Sequence, residues 1–193
     1  MMHSEFYNIV EENPVIAAVK NEEGLELCCR MEEIQVIFIL YGDICTIGNI
    51  VKRIKHAQKT ALVHIDLISG LSSREVSVDF IGSQTEADGI ITTKPALIRR
   101  AKELGLNTVL RFFVIDSLSL KNIENLGEQH ASARPDFIEV LPGVMPKVLK
   151  KISRISRIPM IAGGLITDRE DVMGALNAGA AAVSATNQDV WRL

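Results

Sequence analysis

Along the chain, short unbroken apolar runs alternate with stretches in which apolar residues recur every three to four positions. The runs are 13–19 (NPVIAAV), 35–41 (QVIFILY), 60–66 (TALVHID), 88–93 (DGIITT), 107–114 (NTVLRFFV), 136–142 (DFIEVLP), 159–164 (PMIAGG) and 181–186 (AAVSAT). Short apolar runs of this kind read as strands covered on both faces, the pattern of a parallel sheet. Between them the period changes to that of a helix. In TIGNIVKRIKHAQ, residues Ile47, Ile50, Val51, Ile54 and Ala57 share one face. PALIRRAKELG and DVMGALNAG end on Gly105 and Gly179, where a glycine stops a helix.

Strand and helix units that repeat about every 20–30 residues imply parallel pairing through right-handed crossovers. Eight of them predict a compact α/β fold, a TIM (β/α)8 barrel with eight parallel strands. It forms a single domain over residues 1–193, with 1–13 as an N-terminal lead-in segment. At 193 residues the chain lies just below the usual lower size of about 200 for this fold, so the connections must be short. A doubly wound open sheet is the rival, but no G-x-G-x-x-G follows the first strand.

Composition narrows the function classes. Hydrophobic residues make up 47% and charged residues 23%, which excludes a disordered chain. A net charge of −3 excludes a bulk polyanion binder, so any nucleic acid must be met by a local patch. Cys28, Cys29 and Cys45 have neither metal-ligand nor redox spacing; they read as reduced thiols, and no metal is expected. The opening MMHSEFYNIVEENP carries acids instead of a signal-peptide pattern, and no run approaches the roughly 18 apolar residues of a membrane span. The expected compartment is the cytoplasm, with no membrane partner.

In such a barrel the ligand site gathers at the C-terminal ends of the strands. Those ends read YGD, DLISG, TTK, IDS, LPG, GGL and SATN. Alternation turns His64 and Asp66 to the inner face of the third strand, Arg111 to that of the fifth and Glu139 to that of the sixth. Arg111 and Glu139, on neighbouring strands, read either as an inward ion pair that fixes register or, with Asp66 and Lys94, as a polyol site near an anion. His64, one pair deeper than Asp66, reads as a satisfied core histidine.

Many barrels hold phosphate in the loops after the last two strands. Gly163 and Gly164 follow the seventh, and Ser184 and Thr186 close the eighth. Glycines let the backbone approach an anion, and the hydroxyls complete the donor set. A tight turn alone is the plainer account of the glycine pair.

Three helical stretches carry basic stripes. Lys147, Lys150, Lys151, Arg154 and Arg157 follow the sixth strand; Lys52, Arg53, Lys55, His56 and Lys59 follow the second; Arg99, Arg100 and Lys102 follow the fourth. Acids dominate after the first, third and seventh, so salt bridges between neighbouring helices explain the stripes as readily as an RNA backbone does. Trp191 reads as a barrel cap before a dimer contact. A phosphosugar isomerase or aldolase stays open on these residues, with Asp66 and Glu139 as acid and base and Lys94 as a Schiff-base lysine. No spacing forces catalysis, and no catalytic residue is assigned.

The segments NPVIAAVK, GDI, HIDLISGL, DGIITTK, RFFVIDS, PDFIEVLPGVMPK, IAGGLI and VSATNQDVW, in order over almost the whole chain, resemble the glycerol uptake operon antiterminator regulatory proteins. LPGVMPK and IAGGLI together with HIDLISGL make the resemblance specific. It implies a regulator without catalysis or cofactor. Glycerol 3-phosphate is its effector and leader mRNA its partner, and RNA avidity favours a homodimer. Barrel geometry then sets the phosphate at Gly163, Gly164, Ser184 and Thr186, and the glycerol part near Asp66, Lys94, Arg111 and Glu139. Among the stripes, Lys147, Lys150, Lys151, Arg154, Arg157, Lys52 and Lys55 are the candidate RNA contacts.

Overall fold

A computed structural model describes residues 5–193. Eight parallel strands close a barrel in chain order: β1 (Val15–Val19), β2 (Val36–Ile39), β3 (Thr60–His64), β4 (Gly89–Thr92), β5 (Asn107–Phe113), β6 (Phe137–Leu141), β7 (Met160–Gly163) and β8 (Ala182–Ala185). β8 returns to β1, with Val15 opposite Val183, which removes every sheet edge. Each of the eight apolar runs contains one strand, trimmed at its ends where the chain turns into a loop.

Helix α1 (Glu5–Glu12) precedes β1. Helices α2 (Glu22–Arg30), α3 (Ile47–His56), α4 (Glu75–Gln84), α5 (Pro95–Glu103), α6 (Ser117–Leu126), α7 (Pro146–Ile155) and α8 (Arg169–Asn177) follow β1 to β7. Their apolar faces pack on the outside of the barrel: Ile47, Ile50, Val51 and Ile54 of α3 are all buried. Gly105 and Gly179 take φ of +74° and +100° just past α5 and α8, a left-handed ending that costs other residues strain. Asn21, Asp116 and Asp168 cap the starts of α2, α6 and α8 with side-chain oxygens.

The barrel interior is layered by the two-residue period of the strands. Its lower part is apolar, built from Ile16, Ala18, Val36, Phe38, Leu62, Ile91, Val109, Phe137, Ile161 and Ala182. One step nearer the C-terminal ends of the strands, the inward positions become His64, Arg111, Glu139, Gly163 and Ser184.

Two features depart from a plain strand–helix repeat. Of the lead-in segment, residues 5–12 form α1, which closes the lower end: Phe6 meets Phe137 edge-on at 5.3 Å and Tyr7 stacks on it at 5.7 Å. Residues 1–4 lie outside the described residues. At the other end of the chain, β8 leads only to a 3-10 turn, Val190–Arg192. Trp191, in this turn, stands where a helix after β8 would pack. It does not cap the barrel: it is buried on the flank beside α2, where its Nε1 donates to the Ala185 carbonyl at 2.7 Å.

Candidate functional site

The polar layer is a connected group. Arg111 and Glu139 are register partners across β5 and β6, and Arg111 Nε donates to Glu139 Oε2 at 2.5 Å. Ser184 Oγ, from β8, donates to Glu139 Oε1 at 2.6 Å. Glu139 is 1% exposed and the Arg111 side chain 9%, so this is a charge pair taken out of water with both carboxylate oxygens engaged. The expected inward ion pair is present. Gly163 makes room for it: a Cβ there would stand 2.4 Å from Ser184 Oγ and 2.8 Å from Glu139 Oε1.

His64 departs from the satisfied core histidine the sequence suggests. It is 2% exposed, and its Nδ1 has no hydrogen-bond partner. Burial, and secondarily the Arg111 charge, pull its pKa down to about 4, so the ring is neutral at pH 7.

Above Glu139 opens a pocket of about 300 Å³. Arg111, Glu139 and Ser184 line its base, the loop Gly164–Thr167 after β7 forms one wall, and the end of β8 with Thr186 and Asn187 beyond it forms another. Gly164 and Leu165 both take left-handed backbone, at φ +77° and +63°. A non-glycine residue rarely adopts this conformation, and Leu165, 70% exposed at the mouth, holds it without burying its side chain. The geometry aims successive N–H groups to one side, the arrangement that receives anions. Among the described residues the amides of Gly164, Leu165, Ile166 and Thr186 have no hydrogen-bond partner within the protein, and neither do the terminal guanidinium nitrogens of Arg111. Asn187 Nδ2 ties the two walls together by donating to the Thr167 carbonyl at 3.0 Å.

Of the eight ligand candidates, Arg111, Glu139, Gly164, Ser184 and Thr186 line this pocket; Gly163 lies directly behind it. Asp66 and Lys94 do not line it. β3 ends at His64, and Asp66 sits beyond it in a 3-10 turn, Ile65–Leu67, so the strand alternation expected to pair it with His64 has already stopped. Its carboxylate instead accepts from Thr92 Oγ1, Thr93 N and Thr93 Oγ1 at 2.9, 2.6 and 2.8 Å, fastening the β3 and β4 loops together. Lys94 is exposed at the N-cap of α5.

The family of glycerol-3-phosphate responsive antiterminators matches residues 15–191. The chain belongs to that family. YgcP, an uncharacterized protein of Escherichia coli K12, is 48% identical over 186 residues, 96% of this chain and 95% of that one. The crystal structure of the glycerol uptake operon antiterminator regulatory protein of Listeria monocytogenes str. 4b F2365 superposes with a TM-score of 0.85 at 31% identity, covering 92% of this chain and 94% of that one. A glycerol uptake operon antiterminator-related protein of Thermotoga maritima gives 0.78, also at 31% identity, covering 94% and 99%.

In this member of the family the three basic stripes separate. On α3, Arg53 pairs with Glu22 and Glu26, and Lys55 reaches both oxygens of Asp88 at 2.6 and 2.7 Å. Lys59 is buried, with its ammonium on the carbonyls of Met31 and Ile34, so it leaves the stripe. Lys52 is exposed. On α5, Arg99 and Arg100 pair with Glu103, Arg100 also with Asp79, and Lys102 with Asp136. The α7 stripe differs: Lys147, Lys150, Lys151, Arg154 and Arg157 are all exposed, and none forms an ion pair with a described residue.

No cluster of His, Cys, Asp and Glu among the described residues is placed to hold a metal ion, and no described helix is long and apolar enough to cross a membrane. Sequence reasoning missed Leu165, Thr167 and Asn187 as pocket residues. The signal for them was present in the spacing: GGLIT and SATN lie on adjacent strand ends, so their next residues must meet.

Proposed function

We propose that the protein holds glycerol 3-phosphate in the pocket between the β7 and β8 loops and, when loaded, binds the leader mRNA of glycerol-utilisation operons in the cytoplasm to prevent premature termination. The observation that carries this reading is the set of unengaged donors around the pocket: the amides of Gly164, Leu165, Ile166 and Thr186 and the terminal nitrogens of Arg111. Such donors bind a phosphate through charge-assisted hydrogen bonds. The phosphate sits on the Gly164 and Thr186 backbone, with the Thr186 hydroxyl beside it. The glycerol hydroxyls face Arg111 and Glu139, whose carboxylate has lone pairs beyond the two hydrogen bonds it already accepts. Ser184 and Gly163 position Glu139 for this. Asp66 and Lys94 shape the β3–β4 side of the barrel mouth, with Lys94 attracting the anion from a distance.

An isomerase or aldolase needs a free acid–base pair or a lysine at the reacting carbon. Among the described residues lining the pocket there is one carboxylate, already tied twice, and no lysine. The reading is therefore of a signal bound and released unchanged, with no cofactor.

Isothermal titration calorimetry tests it. Glycerol 3-phosphate is expected to bind at least about tenfold more tightly than glycerol or inorganic phosphate alone, since losing one charge-assisted contact costs about 1.5–3 kcal/mol. Equal affinity for all three, or none, removes the reading, and turnover of a phosphosugar substrate restores the enzyme. Linkage adds a second check: leader RNA must tighten glycerol 3-phosphate by the same factor by which glycerol 3-phosphate tightens RNA.

A further inference from the structure

We infer that the α7 face, together with the groove it forms with α8, is the surface that docks RNA: Lys147, Lys150, Lys151 and Arg154 meet phosphates while a base enters the groove. The inference rests on the RNA-binding reading above and names where that binding happens.

The first support is charge. A protein of net charge −3 meets a polyanion only where cations gather without acids. Ion pairs inside the protein neutralise most of the α3 and α5 stripes, and a paired lysine must give up its acid before it takes a phosphate. On α7 no such exchange is needed. Lys147, Lys150, Lys151 and Arg154 are spaced i, i+3, i+4 and i+7, so they share one face over about 10 Å of axis. The opposite face buries Leu149 and Ile152, which fixes the cations outward.

The second support is shape. Beside the lysines lies a groove of about 300 Å³ lined by Pro146, Lys147, Lys150, Gly174, Asn177 and Ala178. Its small residues leave flat apolar space between two helices, and the Asn177 amide at its edge offers both a donor and an acceptor. RNA is read at unpaired bases, so a cationic helix beside such a slot suits a single-stranded loop. Outside its pocket, the rim of the barrel mouth is less suited to a polyanion: Leu67, Phe113, Ile115, Leu118 and Leu165 are exposed there, and apolar side chains give an RNA backbone no cations to meet.

The third support is connection to the pocket. The loop between β6 and α7 is held against the pocket wall, with Gly143 N donating to the Gly164 carbonyl at 3.0 Å. A Cβ on Gly143 would lie 3.0 Å from both N and O of Gly163. A ligand that shifts Gly164 therefore moves the segment that leads directly into Pro146, the first residue of α7.

The test is an electrophoretic shift of the labelled leader transcript from this chain's own gene cluster, with saturating glycerol 3-phosphate and a salt series. Three variants are compared with wild type: Lys147→Glu/Lys150→Glu/Lys151→Glu/Arg154→Glu; Lys52→Glu/Arg99→Glu; and Gly174→Leu, which fills the groove without changing charge. The quadruple variant is expected to lose more than tenfold in affinity, and the slope of log K against log salt is expected to fall by about 3, near 0.7 for each phosphate contact removed. Gly174→Leu is expected to weaken binding with the slope unchanged, and Lys52→Glu/Arg99→Glu to leave both nearly as in wild type. Calorimetry with glycerol 3-phosphate should match wild type in all three, which shows that the pocket and fold survive. A quadruple variant that binds like wild type, or a loss confined to Lys52→Glu/Arg99→Glu, overturns the α7 assignment while leaving the antiterminator reading intact. A wild-type protein that binds glycerol 3-phosphate but no leader RNA overturns both.

Discussion

His64 makes the stability of this barrel depend on pH in a calculable way. Its imidazole is enclosed at 2% exposure next to Arg111, and its folded pKa of about 4 lies below the value of 6.5 it has when unfolded. Between those two values the unfolded chain binds more protons than the native one, so stability falls as the pH drops through that window and is flat above it. At pH 5 the unfolded histidine is almost fully charged while the native one is about nine-tenths neutral, and the difference amounts to about 2 kcal/mol. Carboxylates titrate too, so the measurement must be a difference between two proteins. His64→Leu removes the titrating ring and the unpartnered Nδ1 in a similar volume, so at pH 7.5 it should lie within about 1.5 kcal/mol of wild type. Urea denaturation of both proteins at pH 7.5 and pH 5 gives the comparison. Wild type should lose about 2 kcal/mol more than His64→Leu over that interval. Parallel losses in the two proteins would mean that the ring has a partner or a path to water, and the reasoning from burial would fail.

The polar layer yields two further tests. Gly163→Ala forces a methyl to within 2.4 Å of Ser184 Oγ, so thermal and urea denaturation should show a loss of about 1–3 kcal/mol together with weaker glycerol 3-phosphate binding; an unchanged protein would mean that β7 moves aside freely. Glu139→Gln leaves the Arg111 charge buried without its partner and should cost about 3–5 kcal/mol by denaturation. Adding Arg111→Met should restore much of that stability without restoring ligand affinity, whereas a double variant that binds glycerol 3-phosphate normally would make the pair a register device only.

The apolar runs were sufficient for the barrel because each strand is covered on both faces, so hydrophobicity marks it whatever its neighbours. They fail where structure ends. At Asp66 the alternation of β3 continues in the sequence but not in the backbone, since a carboxylate that can accept three hydrogen bonds from Thr92 and Thr93 favours a turn. Helix α1 was legible in principle: Phe6 and Val10 sit at i and i+4, but eight residues give too short a pattern to stand out from a lead-in. The basic stripes illustrate a different limit. Lys55 finds Asp88 across 33 residues and Arg100 finds Asp79 across 21, so which cations are neutralised is decided by the closing of the barrel and cannot be read along one helix.

Gly163 and Gly164, at the end of β7, meet different physical demands, and the difference suits the proposed sensing, which needs a fixed base and a wall that responds. Gly163 is required by packing: Glu139 and Ser184 occupy the space of its missing side chain, which fixes the base of the pocket in a buried network that resists displacement. Gly164 is required by conformation: with Leu165 it holds a left-handed turn whose amides face no partner in the protein, and its carbonyl is the attachment point for the β6–α7 loop. In the proposed binding mode the phosphate engages those amides on the wall, while the glycerol hydroxyls meet Arg111 and Glu139 on a base already fixed by its own hydrogen bonds. The wall is joined to α7 on one side and, through Asn187 and Thr167, to the β8 loop on the other. On this proposal a shift of the wall is passed to the two loops that lead outward, and the α7 branch ends on Lys147, Lys150, Lys151 and Arg154, which form no ion pair with a described residue.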